Sequence, residues 1–446
     1  MSTSPRETYL PNNAISAAED FAASEVPTSE QRSTLSITLV RMGYTVSATD
    51  LLFGMSLGLY FEFWTALAVA LLSSIAISII SILCGLIGQR EALTTALIAR
   101  LTFGREGSRI PAFVIAIIAI GFVGYSTAIT ASVLPGDSNV HLAYVVILSA
   151  AYTFLSMVGF GKGLTWVARI SIPLMTIVVL IAAAAAVVHA GGLGAIVDAA
   201  PAQAGKASIV TMIALGTAKW IQGATVSPDI TRFAKGPAAV YTTTIAEFII
   251  GNFGFNFLGI VLGLAVPTSS MSEAFTTVGV GALAAVAVFV QGFPHEVNNL
   301  YTGSLAGRSA LSIPRFYVNL AAGVLVAALA AYGLTQGVLK SFLVFLGYLA
   351  YVVPLIPGIM IADYFIVRRG RYPHRVADAE AVNWRAVAAF LIGLVINLYL
   401  GLVGEDSIWH TLPIAGFVLY LLFSGRQVQA AWLRPAPALA PSLPAE

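Results

Sequence analysis

Thr45-Val-Ser-Ala-Thr-Asp50 and Thr225-Val-Ser-Pro-Asp229 are near-identical polar stretches, each set inside a long apolar run. A backbone interrupted within hydrocarbon leaves amides and carbonyls unpaired, so such breaks persist only where they line a cavity. The two lie about 180 residues apart, one in each half of the chain. Paired breaks of this kind mark secondary transporters built from inverted repeats, with the solute held between the two discontinuous helices.

The sequence around the breaks fits that setting. Of 446 residues, 58% are hydrophobic and only 10% charged, against roughly 25% charged in a soluble domain. Apolar runs long enough to cross about 30 Å of hydrocarbon recur along nearly the whole chain. They predict an all-α polytopic membrane protein of twelve spans, near 36–60, 63–88, 109–134, 141–160, 167–190, 207–233, 239–266, 275–302, 314–336, 341–367, 384–404 and 408–424.

Charge sorts on this map. With the amino terminus inside, all 23 Lys and Arg except Lys206, Lys219 and Lys340 fall in cytoplasmic segments or at their membrane edges, as the excess of basic residues in cytoplasmic loops requires. The expectation is a multi-pass protein of the cell inner membrane with both termini cytoplasmic. Residues 1–35 are polar and rather acidic and have no basic segment leading into a short apolar core, so no cleaved signal is expected. The single Cys84 excludes an intramolecular disulfide framework, and the Pro/Ala-rich end from Arg434 reads as disordered.

Twelve spans divide into a repeat of five (36–190), a second repeat of five (207–367), and two added helices (384–424), between a disordered cytoplasmic stretch (1–35) and a cytoplasmic tail (425–446). A repeat with an odd number of spans inserts opposite to its predecessor, which brings the broken spans one and six together as antiparallel partners. Ala92 to Phe103 has helical periodicity but is too short to cross and suits an interfacial helix.

Several side chains carry possible chemistry. Ser47 and Ala48 lie in the first break. Trp220, before the second break, and Phe122, between Gly121 and Gly124 in the third span, are placed to sandwich a planar ring. Lys219, His295 and Glu296 are ionisable groups within spans, where a charge is costly and marks a pathway. If spans six and eight touch, Lys219 and Glu296 pair, with His295 beside them able to titrate near neutrality. Asp50 and Asp229 are expected to cap half-helices. The sequence shows no phosphate-cradling loop, metal-type Cys/His cluster or Gly-x-Ser-x-Gly elbow, so no enzyme, cofactor, metal or nucleic-acid partner is expected.

At these positions the chain resembles cytosine permeases of the nucleobase cation symporter-1 family. The resemblance covers roughly residues 36–424 and rests on Leu93-Thr-Thr-Ala-Leu-Ile-Ala-Arg100 with Phe103-Gly104 and Gly107-Ser108, on Asp229-Ile-Thr-Arg-Phe233, Asn298-Asn-Leu-Tyr301, Ile361-Ala-Asp-Tyr364 and Val382-Asn-Trp384. It implies a leucine-transporter-type 5+5 inverted repeat, with a planar ring held between spans one, three, six and eight. By this resemblance Phe122 and Trp220 take the stacking positions, and Gln291 a polar ring-binding position. Ala119 stands where a base-binding Gln is usual, and Lys219 where a small polar residue is usual. Pro294 and His295 replace the paired hydroxyls that ligate sodium, and neither supplies a side-chain oxygen. The expectation is therefore uptake of a nucleobase or related heterocycle by a monomer, with Lys219 standing in for sodium and pairing with Glu296, and with protons coupled through Glu296 or His295. Hydantoin, allantoin, a hydroxymethylpyrimidine or an amino-acid-like zwitterion are alternative solutes. A membrane sensor is the rival from another class, and would be expected to carry a soluble signalling domain, which this sequence does not show.

Overall fold

The computed structural model describes residues 24–158, 162–372, 376–403 and 413–432, which are helical almost throughout. The expectations of disorder for residues 1–23 and 434–446 lie outside the described residues. Residues 24–33, expected to be unordered, are instead docked: the Val26 and Arg32 amides donate to the carbonyls of Ala92 and Phe233 at 3.0 and 2.8 Å.

The first expected span is two helices, α1 (Thr34–Thr45) and α2 (Ala48–Tyr60), each too short to cross alone. They are followed by α3 (Phe63–Glu91), the short α4 (Thr95–Phe103), α5 (Arg109–Val133), α6 (Ser138–Val158), α7 (Lys162–His189) and the brief α8 (Leu193–Val197). The second half opens with α9 (Ile209–Thr225) and one turn of helix, α10 (Pro228–Thr231). Next, α11 (Pro237–Ile245) runs through a wide π-helical turn, Ala246–Asn252, into α12 (Phe253–Ala265). After α13 (Met271–Thr277) come α14 (Gly281–Leu311), α15 (Arg315–Gln336) and α16 (Val338–Val352), then α17 (Leu355–Ile361) with a second π turn, Ala362–Val367. The series ends with α18 (Trp384–Leu402), α19 (Ile414–Phe423) and α20 (Gly425–Trp432).

Among the described residues, nine helical stretches are long and apolar enough to cross a membrane. The other three expected spans differ for local reasons. One is divided into α1 and α2; α14 carries Gln291, His295, Glu296, Asn298 and Asn299 midway along its length; and α19 is described for only 10 residues.

Packing joins the two halves: α2 lies along α12, α3 along α9, and α5 along α14. The α2–α12 contact is made backbone to backbone by glycines four apart on both helices. A Cβ at Gly54 or Gly58 would collide with the carbonyls of Asn256 and Ile260, and one at Gly259 or Gly263 with those of Leu51 and Met55. Small residues at this spacing are what allow membrane helices to approach so closely. The short helix α4 is N-capped by Thr94 and packs against α17 and α18. Asn383 Nδ2 donates to the Thr102 carbonyl at 2.7 Å, Tyr420 donates to Asp363 at 2.7 Å, and Thr102 and Tyr372 share a 2.9 Å hydrogen bond. Burial and the nearby Asp363 carboxylate hold the Tyr372 phenol well above its ordinary pKa, so it stays protonated.

Candidate functional site

The first break is built by its own side chains. Ser47 is extended (φ −135°, ψ 151°) and caps α2. Its hydroxyl accepts from the Asp50 amide at 3.2 Å and donates to Asp50 Oδ2 at 2.7 Å, a reciprocal cap at the start of a helix. The other carboxylate oxygen, Oδ1, faces span six, where it accepts from Trp220 Nε1 at 2.9 Å and lies 2.5 Å from Lys219 Nζ. Lys219 Nζ also donates to Asn256 Oδ1 at 2.9 Å and stands 4.6 Å from the centre of the Phe53 ring. The close approach of α2 and α12 brings Asn256 to this point. Lys219 and Asp50 side chains are 1% and 0% exposed, so the ammonium is paired inside the protein and does not reach out to an interface.

The second break, at Val226 and Ser227, makes different use of the same residue types. Asp229 accepts the backbone amide of Thr95 at 2.7 Å, and so caps α4 rather than a half-helix of its own span. Ser227 accepts from Arg41 Nη1 at 2.7 Å. Arg41, rising from α1, is buried; it forms an ion pair with Glu247 in the first π turn and donates to Ser81 of α3 at 2.8 Å.

Between the breaks lies a cavity of about 130 Å³, comparable with the roughly 150 Å³ that holds one benzene ring. Its walls come from Tyr44 of α1, Thr49 of α2, Phe122 of α5, Lys219, Trp220 and Gln222 of α9, and His295, Asn298, Asn299 and Thr302 of α14, with Asp229 and Glu247 also at the wall. Aromatic faces and amide edges thus surround one space. Phe122 is braced edge-on by Phe345 at 5.3 Å, and the Trp220 and His295 rings are tilted by 35° at 6.4 Å. Asn298 donates to the Tyr44 hydroxyl and joins α14 to α1.

Beside the cavity, His295 Nδ1 is 3.2 Å from Glu296 Oε1, which also accepts from Ser126 of α5 at 2.5 Å. Glu296 is fully buried and its Oε2 has no hydrogen-bond partner; the buried Tyr152 hydroxyl likewise has none.

Of the residues chosen from sequence, Phe122, Trp220, Lys219 and His295 line the cavity, and Gln291, Glu296, Ala119, Ser47 and Ala48 do not. Ala119 packs against Gly303 of α14, where a Cβ would lie 2.9 Å from it, and so seals a helix contact. The expected Lys219–Glu296 pair is corrected: each has another partner, Asp50 and His295 respectively, because the close α2–α12 contact puts a carboxylate and an amide nearer to the ammonium. Gly121 and Gly124 make room for Phe345 and Leu329, at 2.5 and 2.8 Å from a would-be Cβ, and not for a ligand. Sequence reasoning missed Arg41 and Glu247, as well as Tyr44, Thr49, Gln222 and Thr302. For Glu247 a signal existed, an acid inside an apolar run; for Arg41 the position near a span's end concealed it.

Helices crossing a membrane many times, with a cavity between two broken helices, define the class: a multi-pass membrane permease. A family model described as permease for cytosine/purines, uracil, thiamine, allantoin matches residues 26–421, and the chain belongs to that family. It is 23% identical over 414 residues to the cytosine permeases of Escherichia coli K12 and O157:H7, covering 92% of this chain and 95% of each relative. In structure it is similar to Mhp1, a nucleobase-cation-symport-1 family transporter, in a closed conformation with bromovinylhydantoin bound (TM-score 0.74, 19% identity, 92% of this chain and 96% of that one). The inward-facing conformation of Mhp1 gives a TM-score of 0.75 at 19% identity, over 90% and 91%. A Na⁺-coupled sialic acid symporter in a substrate-bound outward-open state gives 0.65 at 14% identity, over 96% and 94%. Of the motifs that carried the family resemblance, Asp363 accepts from Tyr420 and Asn383 donates to the Thr102 carbonyl of α4, away from the cavity, whereas Asp229, Ile230, Asn298 and Asn299 reach the cavity wall.

Proposed function

We propose that this chain is a secondary transporter, not an enzyme, that imports a nucleobase or a similar planar nitrogen heterocycle across the cell inner membrane by alternating access. The observation that carries this is the cavity, sized for one ring system, with Phe122 and Trp220 as aromatic walls and Gln222, Asn298 and Asn299 as amide edges. Amides supply both donors and acceptors, which suits the alternating ring nitrogens and carbonyls of such a solute. A twelve-span, two-repeat topology with cytoplasmic termini and a monomeric transporter complete the proposal. A second reading, a hydantoin or allantoin, is favoured by Ala119: the position that would carry a base-binding amide is apolar and packed into a helix contact.

Coupling is assigned to protons and to Glu296, whose Oε2 has no partner while His295 connects Oε1 to the cavity. Uptake of labelled cytosine, uracil, purines and hydantoins into vesicles, with sodium and pH gradients imposed separately, tests both parts. Uptake is expected to ignore sodium and to rise with an inward proton gradient, and Glu296→Gln to remove the pH response. Sodium-driven uptake at constant pH overturns the coupling, and failure to take up any heterocycle overturns the solute class.

A further inference from the structure

The ammonium of Lys219 is surrounded as a bound ion would be. A carboxylate oxygen of Asp50 at 2.5 Å, an amide oxygen of Asn256 at 2.9 Å and the face of Phe53 at 4.6 Å enclose it. One anionic oxygen, one neutral oxygen and an aromatic face are the partners that stabilise a desolvated ammonium. These partners are fixed by contacts that do not involve Lys219. Asp50 is held by Ser47 and by Trp220 Nε1. The Asn256 carbonyl is turned toward the ammonium because its Nδ2 donates to Asn252 at 3.2 Å; Asn252 Nδ2 in turn donates to Ser74 at 2.9 Å, and Ser74 donates to the Ala70 carbonyl at 2.8 Å. The relay leaves only oxygens facing the centre.

We infer that Asp50 and Asn256 form a monovalent-cation site between the two broken spans, and that Lys219 occupies it as a tethered cation. The charge count agrees, one buried carboxylate to one buried ammonium. A buried carboxylate left without a cation is strongly destabilised, so truncating the side chain beyond Cβ leaves a space with its charge and oxygen ligands in place. A methylammonium ion matches that space in charge and donors, and a sodium ion matches it in charge, with water completing its oxygen ligands beside Asp50 and Asn256. The site is separate from Glu296, whose partners are Ser126 and His295. The inference rests on the chain's being a transporter only for its uptake readout.

The experiment compares purified wild type and Lys219→Ala in choline, sodium and methylammonium chlorides at equal ionic strength, reading the thermal midpoint without substrate. The wild type is expected to be indifferent to the cation. Lys219→Ala should unfold at a lower temperature in choline and recover saturably with sodium or methylammonium, and Lys219→Ala with Asp50→Asn should lose that response. In vesicles, uptake by Lys219→Ala should become cation-dependent, by about tenfold on the scale of ordinary coupling between sites. A folded Lys219→Ala that ignores both ions, or a double variant that responds equally, overturns the proposal. If Lys219→Ala does not accumulate, Lys219→Ser keeps a donor toward Asp50 and nearly the same space; failure of both variants in sodium-replete cells also overturns it, since sodium would then fill the site. The thermal readout needs no solute, so a wrong choice of heterocycle leaves this test unaffected.

Discussion

The two breaks begin with the same three residues, Thr-Val-Ser at 45–47 and at 225–227, and each reaches an aspartate within three residues. They are nevertheless put to different work. At the first, the serine caps a helix of 13 residues, and the aspartate on that helix's first turn faces inward to hold a lysine and a tryptophan from the other half. At the second, Pro228 starts a helix of only 4 residues, the aspartate turns away to cap α4, and the serine receives an arginine from the first half. Each break is thus neutralised by a cation from the other half of the chain or held by one: Lys219 crosses to Asp50, and Arg41 crosses to Ser227. A repeated motif preserves the break, while the neighbours decide what its polar side chains bind.

Exchanging charge for neutrality at each aspartate separates the two uses most sharply. Asp50→Asn leaves Lys219 as a buried charge without its counter-ion and should cost roughly 3–5 kcal/mol, read as a large fall in thermal midpoint with loss of uptake. Should Asp50→Asn instead be as mild as a surface change, the inward use of the first break is wrong.

An intermediate effect is expected at the wall the breaks share. Phe122→Ala and Trp220→Ala should each weaken solute binding by about 1–3 kcal/mol, the scale of ring stacking on aromatics. Trp220→Ala should also lower stability more than Phe122→Ala, because its indole donates to Asp50, whereas Phe122 loses only its packing against Phe345 and the core. Equal effects on stability would remove the link between Trp220 and the first break. The smallest change belongs to Asp229→Asn, which keeps an acceptor for the Thr95 amide and should cost about 1 kcal/mol or less. Hydrogen exchange at the start of α4 should rise, and because Asp229 also reaches the cavity wall solute affinity should fall, but less than in Asp50→Asn; a larger fall would invert the comparison.

Both breaks were legible in sequence because a polar run within hydrocarbon survives only beside a cavity or a protein partner; Trp220 followed from its place just before the second break, and Phe122 from its flanking glycines and the family resemblance. Partner choice was not. Lys219 was matched to Glu296 because the eighth span carries an evident acid, but which of two carboxylates is nearer depends on a backbone contact between α2 and α12. The glycines that permit it, 54 and 58 against 259 and 263, are visible in sequence only as spacing on each helix separately. Arg41 was hidden for another reason: a basic residue near the end of a span reads the same whether it points outward to water or inward to Glu247. The role of Asp229 needed the position of α4, more than 130 residues earlier in the chain.

Glu247 owes its direction to the π turn it sits on. A π turn holds one more residue than the α-helical turn it replaces, and each residue of an α-helix rotates the next by about 100°. Deleting a single residue between Ala246 and Asn252 would let the segment close as an ordinary α-helical turn with the helices on either side kept in phase, whereas winding all the present residues as α-helix would swing one side by that angle relative to the other. Asn256, on one side, would then keep its place beside Lys219 only if Glu247 gave up Arg41. The wide turn absorbs its extra residue locally, and so lets one continuous span serve two buried cations at once.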